Sequence, residues 1–189
     1  MTDAPPPLHL ARHGRTSYNR ERRFQGRLAV RLDAVGIAQA QALARQAHTI
    51  PFTALYSSSL QRARETADIV AAAIELPVQE DERLVETDAG SWTDLSFAEV
   101  IERWPEQFRR FAALDPDFAF PGGESFASQQ RRVQQALGEI AAGPLPALVI
   151  CHGVVIRLAL RAFGDTPPPR IENGTMIALR VPASGADLR

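Results

Sequence analysis

The chain has 189 residues, 45% of them hydrophobic, and a formal net charge of −1. That suits one globular domain over residues 1–189 with a sizeable core, and it argues against a general binder of nucleic acid or membrane surfaces. All 21 basic residues are arginine, which excludes Schiff-base lysine chemistry and a P-loop lysine, and the single cysteine, Cys151, excludes an internal disulfide and a cysteine metal cluster.

Met1 to Pro7 lacks the basic-then-apolar pattern of a secretory signal and reads as a short stiff tail. No apolar run approaches the roughly 20 residues of a membrane helix, so cytoplasm is the expected compartment. Leu8-His9-Leu10-Ala11 is an apolar run ending at Arg12-His13-Gly14, which predicts a buried strand. Residues 14–33 lack periodicity and read as a loop. Asp33 opens a helix to about His48. Ala54 to Ser57 reads as a second strand. Ser58 and Gln61 have capping-box spacing ahead of a helix that puts Leu60, Ala63, Ala67, Val70, Ala71 and Ile74 on one face. A short strand at Val78-Gln79 precedes the strand-like Leu84-Val85-Glu86. Residues 96–120, aromatic and broken by Pro105 and Pro116, predict short helices forming a lid or side lobe. Pro121-Gly122-Gly123 is a turn, and Ser125 caps a helix to about Ala141. Ala147 to Cys151 is a buried strand that runs into His152-Gly153, then a helix from Val154 to Phe163 and a last strand from Thr175 to Val181. The alternation of strand and helix predicts an α/β layer fold with a mainly parallel sheet.

Two strands therefore end in His-Gly. Ligands of open parallel sheets sit beyond the carboxyl ends of strands, so neighbouring strands would bring His13 and His152 to one pocket, with Gly14 and Gly153 allowing close backbone approach. Arg62 falls in the first turn of a helix, where the dipole disfavours a cation by about 0.3–1 kcal/mol. A bound anion reverses that sign. Arg62 and the Ser57-Ser58-Ser59 hydroxyls are thus expected to face a phosphate, and Arg12 adds a second planar donor fork. Neutral imidazole is nucleophilic near pH 7, so His13 can attack phosphorus while Arg12, Arg62 and a protonated His152 stabilise the equatorial oxygens without a metal. A general acid must protonate the leaving oxygen; Glu86 ranks ahead of Asp88.

These residues resemble the histidine phosphatase superfamily, phosphoglycerate mutase-like branch. The resemblance rests on Arg12-His13-Gly14-Arg15-Thr16, Asn19, Gln25-Gly26, Gly36 to Ala40, Ser57 to Ala67, Arg83 to Glu86 with Gly90 and Trp92, Pro121 to Ser125, and Val149 to Arg157, in the family's order. It implies a three-layer α/β/α sandwich. It implies His13 as phosphorylated nucleophile, Glu86 as proton donor, Arg12, Arg62 and His152 as the phosphate pocket, and Asn19, Gln25 and Gly26 as its lining. Thr16, Arg15 and Gly153 are counted with the substrate-binding residues, Arg15 as a contact for a second anionic group. No cofactor and no metal is implied. Thr93-Asp94 replaces the family's small turn residue after Trp92. The mutases' Glu-Arg-His-Tyr-Gly and the basic insertion after it are absent, so the chain resembles the short phosphatases.

The reading is a phosphomonoester hydrolase acting on a small phosphorylated metabolite. Phosphoglycerate mutase, α-ribazole phosphatase and a non-catalytic phosphoryl-binding module are the alternatives. Bland readings stand beside it: Arg62 as a surface ion pair with Glu65 or Glu80, Glu124 and Ser125 as turn and cap only, and Arg15 to Arg31 as a solvated loop instead of a funnel for phosphates. A zinc site on His13 and His152 lacks a third ligand at suitable spacing. Oligomeric state is not legible.

Overall fold

Residues 8–181 are described by a computed structural model of the chain; the Met1–Pro7 tail lies outside them. Five strands form one sheet in the order β3-β2-β4-β1-β5. They are β1 (Leu8–Arg12), β2 (Ala54–Ser57), β3 (Val78–Glu80), β4 (Ala147–Cys151) and β5 (Met176–Leu179). The first four run parallel and β5 is antiparallel to β1. The register sets Arg12 beside Cys151, so the chain leaves β1 and β4 side by side.

Side-chain alternation along the central strands separates two cores. Leu10, Val149 and Cys151 pack with Val133, Leu137, Val155 and Ile156 from α6 (Phe126–Ala141) and α7 (Gly153–Ala162). Ala11, Leu148 and Ile150 pack with Leu43, Ala47, Ala63 and Val70 from α2 (Ala34–Ala47) and α3 (Gln61–Ile74). The result is the expected three-layer α/β/α sandwich. A third cluster gathers Phe24, Trp92, Val100, Phe118, Phe120 and Phe126 beneath α4 (Phe97–Arg103) and α5 (Pro105–Ala112), and Leu158 joins it to α7.

Several local expectations are corrected. The 14–33 loop contains a short helix, α1 (Ser17–Glu21), closed by a capping box between Thr16 and Asn19. It has no buried residue and so leaves no periodic signal. Ser58 and Gln61 do not form a capping box. Leu60 is the extended residue before α3 and no side chain caps it. Leu84 closes a 3-10 turn, Glu82–Leu84, in place of a strand. After the 3-10 turn Gly90–Trp92, Asp94 takes φ 69° and supplies the bend expected of a smaller residue. Asp33 does cap α2, its Oδ1 accepting from the Gly36 amide at 2.8 Å.

Candidate active site

The carboxyl ends of β1 and β4 converge as the two His-Gly pairs predict. The His13 amide donates to the Cys151 carbonyl at 3.1 Å, which holds the residue beyond β1 against β4. The His13 and His152 rings lie 5.2 Å apart, centroid to centroid. His13 Nδ1 is 2.7 Å from the Gly14 carbonyl oxygen. A carbonyl only accepts, so Nδ1 carries the proton and Nε2 keeps its lone pair. Burial, and then Arg62 and Arg12, push the His13 pKa well below its ordinary value. The ring is therefore held neutral, with the lone pair on Nε2 fixed in direction.

Gly14 is required sterically: a Cβ there would stand 2.3 Å from the Gly36 carbonyl oxygen. Its amide donates to Thr66 Oγ1 at 3.0 Å. Asn173 Nδ2 donates to the His13 carbonyl at 3.0 Å and to Asn19 Oδ1 at 3.2 Å, clamping the loop from the β5 side.

Two arginines flank the imidazoles, Arg62 buried and Arg12 partly so, and each is only partly satisfied by its neighbours. Arg62, 1% exposed, donates to the carbonyls of Leu28 and Gly26 at 3.0 and 2.8 Å, and its Nε has no partner. Arg12 donates to the Ile171 carbonyl, and its Nε is likewise buried and unpartnered. Burial lowers both guanidinium pKa values to about 10, opposed by the charge of Glu86, so both stay cationic at neutral pH. The acids named as partners for a surface Arg62 are engaged elsewhere: Glu65 with Arg31 and Gln61, Glu80 with Arg64. His152 Nε2 sits 2.8 Å from Ser58 Oγ, and its buried Nδ1 has no partner. Burial, then Arg62, His13 and Arg12, hold the His152 pKa well below the usual histidine value. The protein alone therefore favours neutral His152, against the expected imidazolium.

The polar wall is oriented from behind. Asn19 Oδ1 accepts from the Thr16 amide at 3.1 Å, and Gln25 Oε1 accepts from Thr16 Oγ1 at 3.0 Å. Both amides spend their oxygens on Thr16, which leaves their NH2 groups as the donors available to a ligand. Glu86 Oε1 accepts from the Thr87 amide at 2.9 Å and from Gln129 Nε2 at 3.4 Å. Thr87 Oγ1 in turn donates to Gln129 Oε1, fixing which end of that fully buried amide faces Glu86. His13, Arg12, Arg62, Asn19, Gln25, Gly26, Glu86 and Gly153 all line one cavity of about 380 Å³. Among the described residues no group of three or more His, Cys, Asp or Glu could hold a metal ion.

The histidine phosphatase superfamily (branch 1) family pattern matches residues 8–182. The chain belongs to that superfamily. A bifunctional protein of Mycobacterium tuberculosis is 42% identical over 164 residues, which is 85% of this chain and 45% of that protein. Phosphoserine phosphatase 1 of Hydrogenobacter thermophilus is 38% identical over 133 residues, 70% of this chain and 63% of that one. The chain thus covers less than two thirds of the length of these relatives. A solved mycobacterial glucosyl-3-phosphoglycerate phosphatase complexed with VO3 superposes with a TM-score of 0.81 at 29% identity, covering 90% of each chain.

Within this member of the superfamily, several expected contacts fall elsewhere, and His152 itself is fully buried behind the cavity instead of lining it. Arg15 does not line the cavity: its Nε bonds Asp33 Oδ2 at 2.8 Å, drawn toward the cap of α2. Thr16 is fully buried behind Asn19 and Gln25 and positions them. The hydroxyls of Ser57 and Ser58 turn to the Ser58 carbonyl and to His152, and neither residue lines the cavity. Gln129, Asn173 and Thr87 were not legible. Each meets its partner through the fold, and nothing in its local sequence marks it.

Proposed function

We propose that the chain is a phosphomonoesterase working through a phosphohistidine on His13, on a small phosphorylated metabolite. The observation that supports this best is the free Nε2 of His13 beside the buried, unpartnered Nε atoms of two arginines. Nε2 attacks phosphorus, a P–N bond forms and the P–O bond to the alcohol breaks. Glu86 gives its proton to the departing oxygen. Water then attacks the phosphohistidine, Glu86 takes the water proton, and His13 leaves phosphorus as phosphate is released. Arg12 and Arg62 hold the equatorial oxygens, and the Asn19 and Gln25 NH2 groups with the α7 N-terminus at Gly153 add donors. A phosphoryl dianion beside His152 favours its imidazolium, which offsets what burial costs that ring.

Residues 96–120 are the side lobe that walls the entrance of a single domain. The buried thiol of Cys151 suits a reducing compartment, and we place the protein in the cytoplasm. No helix among the described residues is long and apolar enough to cross a membrane. The basic 15–31 loop is largely neutralised by Asp33, Glu21, Asp94, Glu124 and Glu65, which favours small phosphorylated substrates over nucleic acid.

Turnover of an aryl phosphate in the presence of EDTA tests the reading. It should persist with chelator and vanish in His13→Ala. An EDTA-killed activity, or an active His13→Ala, overturns it. Interconversion of phosphoglycerates without release of phosphate would favour a mutase.

A further inference from the structure

The phosphoryl end of the cavity accounts for Arg12, Arg62 and Glu86. The rest of the lining is of a different character. Phe24, Phe97, Phe108, Phe111 and Phe120 give the same cavity an apolar aromatic wall. Four more arginines stand in the same lining, and Glu86 is its sole carboxylate. Two of the four are neutralised: Arg23 pairs with Asp94 at 3.3 Å and Arg170 with Glu172 at 3.0 Å. Arg22 and Arg157 have no carboxylate partner among the described residues. Arg22 sits with its guanidinium carbon 5.8 Å from the Phe97 ring centre. Arg157, half-buried, donates Nε to the Pro168 carbonyl and Nη2 to the Ala112 carbonyl, both at 3.1 Å. Those bonds fix its plane and leave Nη1 without a protein acceptor.

A phosphoryl dianion is matched by Arg12 and Arg62, so two positive charges remain at the cavity's aromatic end. Phenyl rings offer a polyol no hydrogen-bond partners, and sugar hydroxyls against them would be desolvated and unpaired. An apolar body loses nothing there and gains from burial. A fixed guanidinium fork suits a carboxylate or a second phosphoryl group.

We infer that the substrate is the phosphomonoester of an apolar, aromatic alcohol carrying a second negative group, and that Arg157 with Arg22 receives that group. This rests on the phosphomonoesterase reading and names its substrate class. It also relocates the second anion contact from Arg15, which Asp33 holds away from the cavity, to two residues that line it.

Three ligands test it by calorimetry on the whole chain: a benzylphosphonate with a para propanoate arm, the matching propanamide, and an open-chain phosphonobutyrate. The aromatic acid should bind about tenfold tighter than either, the scale of one charged hydrogen bond or one ring buried. Arg157→Met and Arg22→Asn should each bring the acid-to-amide ratio toward one. If Arg157→Met fails to fold for want of its carbonyl bonds, Arg22→Asn and the three-ligand comparison still decide. Equal binding of acid and amide to the unaltered protein overturns the anion subsite, and equal binding of the open-chain acid overturns the aromatic preference. Turnover of the corresponding phosphates is measured alongside. Preferential binding without hydrolysis sinks the phosphomonoesterase reading and upholds the subsite, whereas hydrolysis without preference does the reverse.

Discussion

Glu86 illustrates how a single side chain depends on groups far away in sequence. Gln129 and Thr87 hold its carboxylate in one rotamer, across 43 residues in the case of Gln129. Gln129→Leu should lower kcat about tenfold, the cost of a misaimed acid. The same change in a Glu86→Gln background should add little, because the group being aimed is gone; additive losses would show that Gln129 acts only on stability. Glu86→Gln alone should slow hydrolysis and let a radiolabelled phosphoenzyme accumulate in a quench experiment. For His13, burial and two guanidiniums depress its pKa, so the imidazole stays neutral to lower pH. The acid limb of kcat/KM assigned to it should lie below the ordinary histidine value of about 6.5. These residue-scale facts were the least legible in the sequence. The Arg12-His13-Gly14 run pointed to His13 as the proposed nucleophile, but the tautomer comes from one carbonyl. The roles of Thr16, Asn173 and Gln129 come from contacts that no spacing announces.

At the scale of elements the sequence was far more informative. Each central strand is an apolar run ended by a polar motif, and Asp33 and Ser125 mark their helices. Ser125 Oγ accepts from the Ser128 amide at 3.1 Å, while Glu124 binds Arg132 through both carboxylate oxygens at 2.7 and 2.8 Å. Turn and cap therefore account for both residues. Ser125→Ala should cost about 1 kcal/mol of stability, read by urea titration. α1 was missed because it buries nothing, and the start of α3 was displaced because Leu60, not a hydroxyl residue, precedes it. α2 meets the loop after β1 at Gly36, where a Cβ would lie 2.0 Å from the Arg15 carbonyl oxygen. Gly36→Ala should push α2 away, destabilise by about 1–3 kcal/mol and lower turnover together with the thermal midpoint.

The whole molecule places two buried imidazoles at the seam between its layers, both with depressed pKa values. The unfolded chain binds protons on these rings below about pH 6.5 and the folded chain does not, so their effect on stability is neutral above that pH and destabilising as pH falls through it. The thermal midpoint should drop between about pH 6.5 and 5, above the range where carboxylates titrate. Saturating phosphate should flatten the drop, since its charge favours the imidazolium. A midpoint indifferent to pH over that window would show that the rings take up protons while folded. The sandwich and the meeting of His13 with His152 were predictable at this scale, because parallel neighbours bring equivalent strand ends together. The aromatic lobe was predictable as short helices over residues 96–120. Which of its rings face the cavity is decided by helix packing.

The hydrogen bond from His13 Nδ1 to the Gly14 carbonyl has a chemical consequence outside the enzyme's cycle. It leaves one nitrogen able to take phosphorus, so the trapped intermediate should be the τ isomer of phosphohistidine alone, phosphorylated at Nε2. An antibody raised against that isomer should stain the acid-free denatured Glu86→Gln phosphoprotein, and one raised against the π isomer should not.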